Sequence, residues 1–299
     1  MTATKIHWTD HSLNPGIYGC SPAHTGCRNC YAAKMARRLA GMGQKQYEGL
    51  TTTEMVREDD RTMREVVRWT GEVRVDFTQT DRAFAKLPKR KPSRVFCTSM
   101  GDLFGPKVPY LMAEGVLRRF EARPHLTGQI LTKHPGRMAT FAEGRSQWPS
   151  NVMAGCSISD QATADKLIPD LLRVPAAVRF LSVEPMVGPV DLKSALRGLI
   201  SCDCRRMIDP SMSGCPWCGT TWRFGTERLE KMRDIDWVIV GCESGPNRRP
   251  MQLEWARSVV QQCEDAGTAC FVKQIHLDGR LSSDPEEWPE DLRVREFPR

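Results

Sequence analysis

Three cysteines pose the first chemical question. In the segment GCSPAHTGCRNCYA, Cys20, Cys27 and Cys30 stand in a C-x6-C-x2-C pattern. Three thiolates from one loop can converge on a 4Fe-4S cluster in which three irons take protein sulfur and the fourth stays open for an exogenous ligand. S-adenosylmethionine (SAM) is such a ligand through its amino and carboxylate groups, and an electron from the cluster then cleaves its sulfonium to give a 5'-deoxyadenosyl radical. The rival is a closed zinc site, which takes a fourth protein ligand. His24, inside the same loop, could supply it. Tyr31, directly after the third cysteine, favours the cluster because an aromatic ring there limits solvent access.

A second set is separate. Cys202, Cys204, Cys215 and Cys218 form C-x-C, ten residues, then C-x2-C, with Pro216 and Gly219 shaping a knuckle-like turn. Four thiolates make a closed tetrahedral site that suits zinc first, and a rubredoxin-like iron or a second iron-sulfur cluster after it. A segment of this size, 200–225, cannot bury a core of its own, so metal binding supplies its folding energy. Trp217, Trp222, Arg205, Arg206 and Arg223 add stacking and cationic groups suited to bases and phosphates, or they pack the insert onto its neighbour. Of the other cysteines, Cys97, Cys156 and Cys270 sit in apolar runs and read as small hydrophobes.

The elements that position these groups follow one grammar. From residue 94 onward, β-branched runs alternate with loops and helical segments: RVFCTSM, TGQILTK, NVMAGCSI, VRFLSVE, DWVIVGCES and TACFVKQ. This is the signature of a parallel sheet with covering helices. Two further strands, EVRVDF near residue 72 and the stretch before Cys20, bring the count to eight, the number that closes a (β/α)8 barrel. The fold class predicted is therefore α/β, a (β/α)8 or partial TIM-type barrel over 1–276, with the insert at 200–225 and a C-terminal arm at 277–299. An open doubly wound sheet is the alternative. Helices are predicted from Tyr31 to Ala40 and across the charged sequence from Glu54 to Trp69.

In such a fold the chemistry gathers at the C-terminal ends of the strands. The polar residues there are Ser99 and Asp102, Lys133, Ser157, Ser159 and Asp160, Glu184, Glu243 and Ser244, and Lys273 and Gln274. SAM presents an ammonium, a carboxylate and a ribose diol. Lys133 suits the carboxylate, Glu184 or Glu243 the ammonium or ribose, and Ser99, Asp102, Ser157 and Ser244 supply further polar contacts. Cys242 and Lys273 are the candidate catalytic groups. Asp160 also has the position of a helix cap.

The segments IHWTDHSLNPGIYGCSPAHTGCRNCYA, VFCTSMGDLF, QILTKHPGRM, NVMAGCSISDQATAD, VRFLSVEPMVGPVDL, WVIVGCESGPNRRPM and FVKQ, in that order, resemble the phage-associated three-cysteine-motif proteins, a radical-SAM-like family of largely unassigned function. The likeness runs from Ile6 to about Gln274 and implies a radical SAM barrel. Cys242 departs from it, standing where that family is expected to carry glycine.

Composition narrows the partners. A formal charge of +7 leans toward a polyanion, and Arg82, Lys86, Lys89, Arg90, Lys91 and Arg94 gather in one basic segment, either a contact surface or a solvated face. No run approaches the ~20 apolar residues of a membrane span, and no export signal opens the chain, so a soluble cytoplasmic protein is predicted, in the host cytoplasm if phage-encoded. P-loop, dinucleotide fingerprint, nucleophile elbow and HExxH helix are all missing, which removes nucleotide triphosphatases and the common hydrolases. The leading expectation is a radical SAM enzyme that modifies or repairs a nucleobase in DNA or RNA, served by an electron donor such as a flavodoxin or ferredoxin. The alternatives are a zinc-stabilised nucleic-acid-binding protein without catalysis, and a radical enzyme acting on a peptide or small metabolite.

Overall fold

The computed structural model describes residues 4, 6–57, 62–196, 200–201, 207–208, 235–245 and 248–298. In chain order the elements are β1 (His11–Leu13), β2 (Ile17–Gly19), α1 (Tyr31–Gly41), β3 (Thr51–Arg57), β4 (Met63–Trp69), β5 (Val73–Val75), α2 (Thr78–Ala85), β6 (Ser93–Cys97) and α3 (Tyr110–Glu121). There follow β7 (Leu126–Thr132), α4 (Pro135–Glu143), β8 (Val152–Ile158), α5 (Gln161–Leu172), β9 (Arg179–Val183), α6 (Lys193–Leu196), β10 (Ile200–Ser201), β11 (Met207–Ile208), β12 (Trp237–Gly241), α7 (Leu253–Ala266), β13 (Ala269–Leu277) and β14 (Arg280–Ser282). The four cysteines of the second set, with Trp217, Trp222, Arg205, Arg206 and Arg223, lie outside the described residues.

Eight strands form one sheet in the order β1-β6-β7-β8-β9-β12-β13-β14. The first seven run parallel, and β14 turns back antiparallel on β13. The six β-branched runs read from the sequence are β6, β7, β8, β9, β12 and β13. Their two faces divide by the period of two that a strand imposes. Val95 and Cys97, Ile130, Ala154 and Cys156, Leu181 and Val183, and Val238 and Val240 pack under the helices in the main core. Phe96, Phe180, Trp237, Ile239 and Phe271 point the other way and meet around Trp8. Trp8 stands 4.7 Å from Phe96 and 6.1 Å from Trp237, ring to ring, although these belong to strands four places apart in the sheet. Only a curled sheet brings them together. The aromatic plug fills its hollow, each buried side chain contributing roughly 1.5–3 kcal/mol.

Closure differs from the full barrel. Among the described strands, β1 and β14 are the two edges and do not pair with each other, so the sheet is an open, curled half-barrel. The two early strands read from the sequence exist, but they pair with each other as an antiparallel ribbon, β2 with β5, beside the sheet. The first sheet strand is instead His11–Leu13, too short at three residues to show a pattern. Glu54–Trp69 is not a helix. Thr51, Thr52, Thr53, Val56, Val66 and Val67 favour extended backbone, and β3 and β4 form a hairpin in register from Thr51↔Trp69 to Arg57↔Met63. The C-terminal arm is ordered against the β13 edge: Val272 donates to Val294 at 2.8 Å, and Trp288 and Leu292 are buried. Cys97, Cys156 and Cys270 are buried as well. No helix among the described residues is long and apolar enough to cross a membrane.

Candidate functional site

At the C-terminal ends of the parallel strands lies a cavity of about 420 Å³. Its walls include Cys20, Cys27 and Cys30, and also Ser99, Asp102, Lys133, Ser157, Glu184, Cys242, Glu243, Ser244, Lys273 and Gln274. Residues spread over more than 250 positions of sequence thus face one space, because the strands and loops that carry them converge there. Asp160 and Ser159 lie behind this wall. Asp160 caps α5, accepting from the Thr163 amide at 2.9 Å.

The cysteine loop spans β2 to α1. His24 accepts from the Gly26 amide through Nδ1 at 3.1 Å, and its Nε2 lies 3.2 Å from the Ser157 carbonyl, to which it donates in the neutral tautomer. Burial and the nearby Lys133 ammonium push its pKa down to about 4. Both ring nitrogens are therefore engaged in holding the loop against β8, and neither lone pair is left for a metal. A Cβ on Gly26 would stand 2.2 Å from Ser159 Oγ, so this contact admits only glycine. Cys27 Sγ accepts from the Ala23 amide at 3.4 Å, and Cys30 stands at the start of α1. Burial, and then the Asp102 carboxylate, push the Cys20 thiol well up. Among the described residues, no three His, Cys, Asp or Glu side chains converge as ligands of a single ion.

Glu243 ties this loop to the sheet. It is buried, and it accepts from Asn29 Nδ2 at 2.8 Å and from the Arg249 amide at 2.8 Å, with the Arg249 guanidinium on both carboxylate oxygens. Arg249 also donates to the Thr25 carbonyl at 3.0 Å. Glu243 thus faces the cavity with its oxygens already taken, which makes it a clamp rather than a ligand for an ammonium. Asp102 is likewise committed. It accepts from Thr132 Oγ1 at 2.6 Å, the Phe104 amide at 3.0 Å and the Lys133 amide at 2.9 Å. Its work is to fix the backbone that presents Lys133.

Lys133 is different, because no described residue hydrogen-bonds or ion-pairs with its ammonium. Burial alone would lower its pKa, but the three cysteines and Asp102 outweigh that and raise it. Glu184 pairs with Lys273 through Oε1, and Ser157 Oγ donates to the Glu184 carbonyl at 3.2 Å. Gly241 lets the Glu184 side chain lie flat, since a Cβ there would meet its carboxyl carbon at 3.2 Å. Ser244 Oγ accepts from Gln274 Nε2 at 2.8 Å, and Ser99 Oγ from Ser12 Oγ at 2.9 Å. Tyr31, 49 % exposed, spans the mouth and donates to the Ser99 carbonyl at 2.7 Å.

Among the cavity residues not singled out from the sequence are Trp8, Asn29, Trp69 and Thr98. Thr98 holds φ at 68°, a conformation that a β-branched residue adopts only under strain and that concentrates at functional sites. Its signal was its place directly after an apolar run. The basic segment 82–94, by contrast, leads into the N-terminal end of β6, at the opposite end of the sheet from the cavity. Arg94 there is paired with Asp10 at 3.2 Å.

A family model described as "Protein of unknown function (DUF5131)" matches residues 3–282. Neither the curated proteins nor the solved structures yield a match.

Proposed function

We propose that this chain, which belongs to the DUF5131 family of proteins of unknown function, is a radical SAM enzyme that acts on a nucleobase in DNA or RNA. The observation that carries the reading is the single cavity lined at once by Cys20, Cys27, Cys30, Lys133 and Glu184. Cys20, Cys27 and Cys30 would hold a 4Fe-4S cluster with one iron open. When bound, cluster and SAM supply an electron and a primary carbon radical.

The residues present fit these groups. Three ligands on one zinc must crowd to roughly 4 Å from one another, given Zn–S distances of about 2.3 Å, whereas a cluster spreads them over three irons. The engagement of both His24 nitrogens removes the fourth ligand that a closed zinc site would take, and this favours the cluster. Lys133, carried on a backbone that Asp102 fixes, offers a cation to a carboxylate. Glu184 keeps Oε2 for an ammonium or a ribose hydroxyl while Oε1 holds Lys273. Ser244 accepts from Gln274 and so has its own hydroxyl proton to donate. Tyr31, half exposed in the cavity lining, offers a ring on which a base could stack. The charge of +7 adds a general attraction for nucleic acid.

Electron paramagnetic resonance tests the ligand set. The reduced, anaerobically reconstituted chain should show a 4Fe-4S signal whose g values change on adding SAM, and a variant with all three loop cysteines changed to Ala should lose the SAM-sensitive signal. A signal indifferent to SAM, or one that survives the triple change, would contradict the assignment.

A further inference from the structure

Cys242 is the one described cysteine outside the loop among the residues that line the cavity, and it is fully buried there; Cys97, Cys156, Cys263 and Cys270 do not line it. It directly follows β12, with its backbone clamped on both sides by Gln274, whose carbonyl accepts from the Cys242 amide at 3.2 Å and whose Nε2 donates to the Cys242 carbonyl at 2.7 Å. Its Sγ makes no hydrogen bond to a described residue. Burial and the neighbouring Glu184 carboxylate push the thiol up to about 12, with Lys273 opposing, so it keeps its hydrogen at physiological pH. A second feature marks the cavity as a place for a ligand. Trp8 and Trp69 are 2 % and 6 % exposed, both line the cavity, and their Nε1 donors have no partner among the described residues. A buried donor left unpaired costs about 1–3 kcal/mol, which a bound molecule carrying acceptor atoms would relieve.

We propose that the Cys242 thiol donates a hydrogen atom to a carbon radical formed in this cavity. The inference rests on the radical reading of the site. In the step the S–H bond breaks homolytically, a C–H bond forms on the radical carbon, and a thiyl radical remains on Cys242. One electron from the iron-sulfur or flavin protein that serves the cluster, with one proton from solvent, restores the thiol. An S–H bond is weaker than an ordinary C–H or O–H bond, so the transfer runs downhill from cysteine and would not from serine.

The test needs no knowledge of the substrate. Iron-loaded protein is given SAM and dithionite in D2O, in thiol-free buffer, and the 5'-deoxyadenosine formed is weighed by mass spectrometry. The exchangeable thiol should place one solvent deuterium in most molecules from the wild type. Cys242→Ser and Cys242→Ala should lower that fraction, per molecule formed, at least fivefold. Equal deuterium in wild type and both variants would overturn the role of the thiol while leaving the radical reading intact. No 5'-deoxyadenosine from the loaded wild type would overturn the radical reading, and this inference with it. A second readout is spectroscopic: the infrared S–H stretching band that is lost in Cys242→Ala should shift when saturating S-adenosylhomocysteine is added. An unmoved band would remove the thiol from the nucleoside's side.

Discussion

Arg249→Ala is expected to destabilise the chain by about 3 kcal/mol, the low end of the range for breaking a buried ion pair. Glu243, with 4 % of its side chain exposed, would be left as a buried carboxylate without its cation, held only by Asn29 and the backbone amide at 249, and the loop would lose the Thr25 contact at the same stroke. Arg249→Lys should recover only part of the loss, because an ammonium cannot hold both carboxylate oxygens in the fork geometry. Urea midpoints measure this, and a loss below about 1 kcal/mol would show that the clamp does not support the loop. The same pair gives a pH dependence. Burial pushes the Glu243 pKa up, but the Arg249 and Asn29 hydrogen bonds outweigh it and hold the carboxyl below its ordinary value of 4.5. The folded state therefore binds this proton less readily than the unfolded state. The stability it contributes is present above pH 4.5 and lost as pH falls through the lower, folded pKa. In Arg249→Ala that acid-side decline should move toward higher pH.

Lys133→Met is expected to weaken SAM binding roughly 10- to 100-fold, since a hydrogen bond to a charged group is worth about 1.5–3 kcal/mol. Methionine preserves much of the length and apolar stem while removing the charge. The Lys133 ammonium makes no bond to a described residue, so folding stability should change far less than binding. Equilibrium dialysis against labelled SAM separates the two effects, and unchanged affinity would refute the carboxylate contact.

How much of this was legible in the sequence depends on how far apart the interacting residues lie. Buried parallel strands write themselves as continuous apolar runs, and six of them were readable as such. The polar residues that end those runs converge because the strands do, which is why so many positions named from sequence line one cavity. What each one binds was not readable. Asn29 meets Glu243 across 214 positions, and Thr132 meets Asp102 across 30, and no local pattern announces either bond. These bonds turn Glu243 and Asp102 from prospective ligands into supports. His24 was from its position the possible fourth ligand of the rival zinc site, and its two hydrogen bonds became visible only with Ser157 and Gly26 in place. The β3–β4 hairpin was misread because its charged residues are compatible with a helix, whereas the threonines and valines between them settle for extended backbone when paired.

The most direct test of the central claim is SAM cleavage by the iron-loaded chain. After anaerobic reconstitution with iron and sulfide and reduction in the presence of SAM, the wild type should form 5'-deoxyadenosine, and Cys27→Ala should form at least 100-fold less. No 5'-deoxyadenosine from a fully loaded wild type, or equal amounts from the variant, would contradict the account.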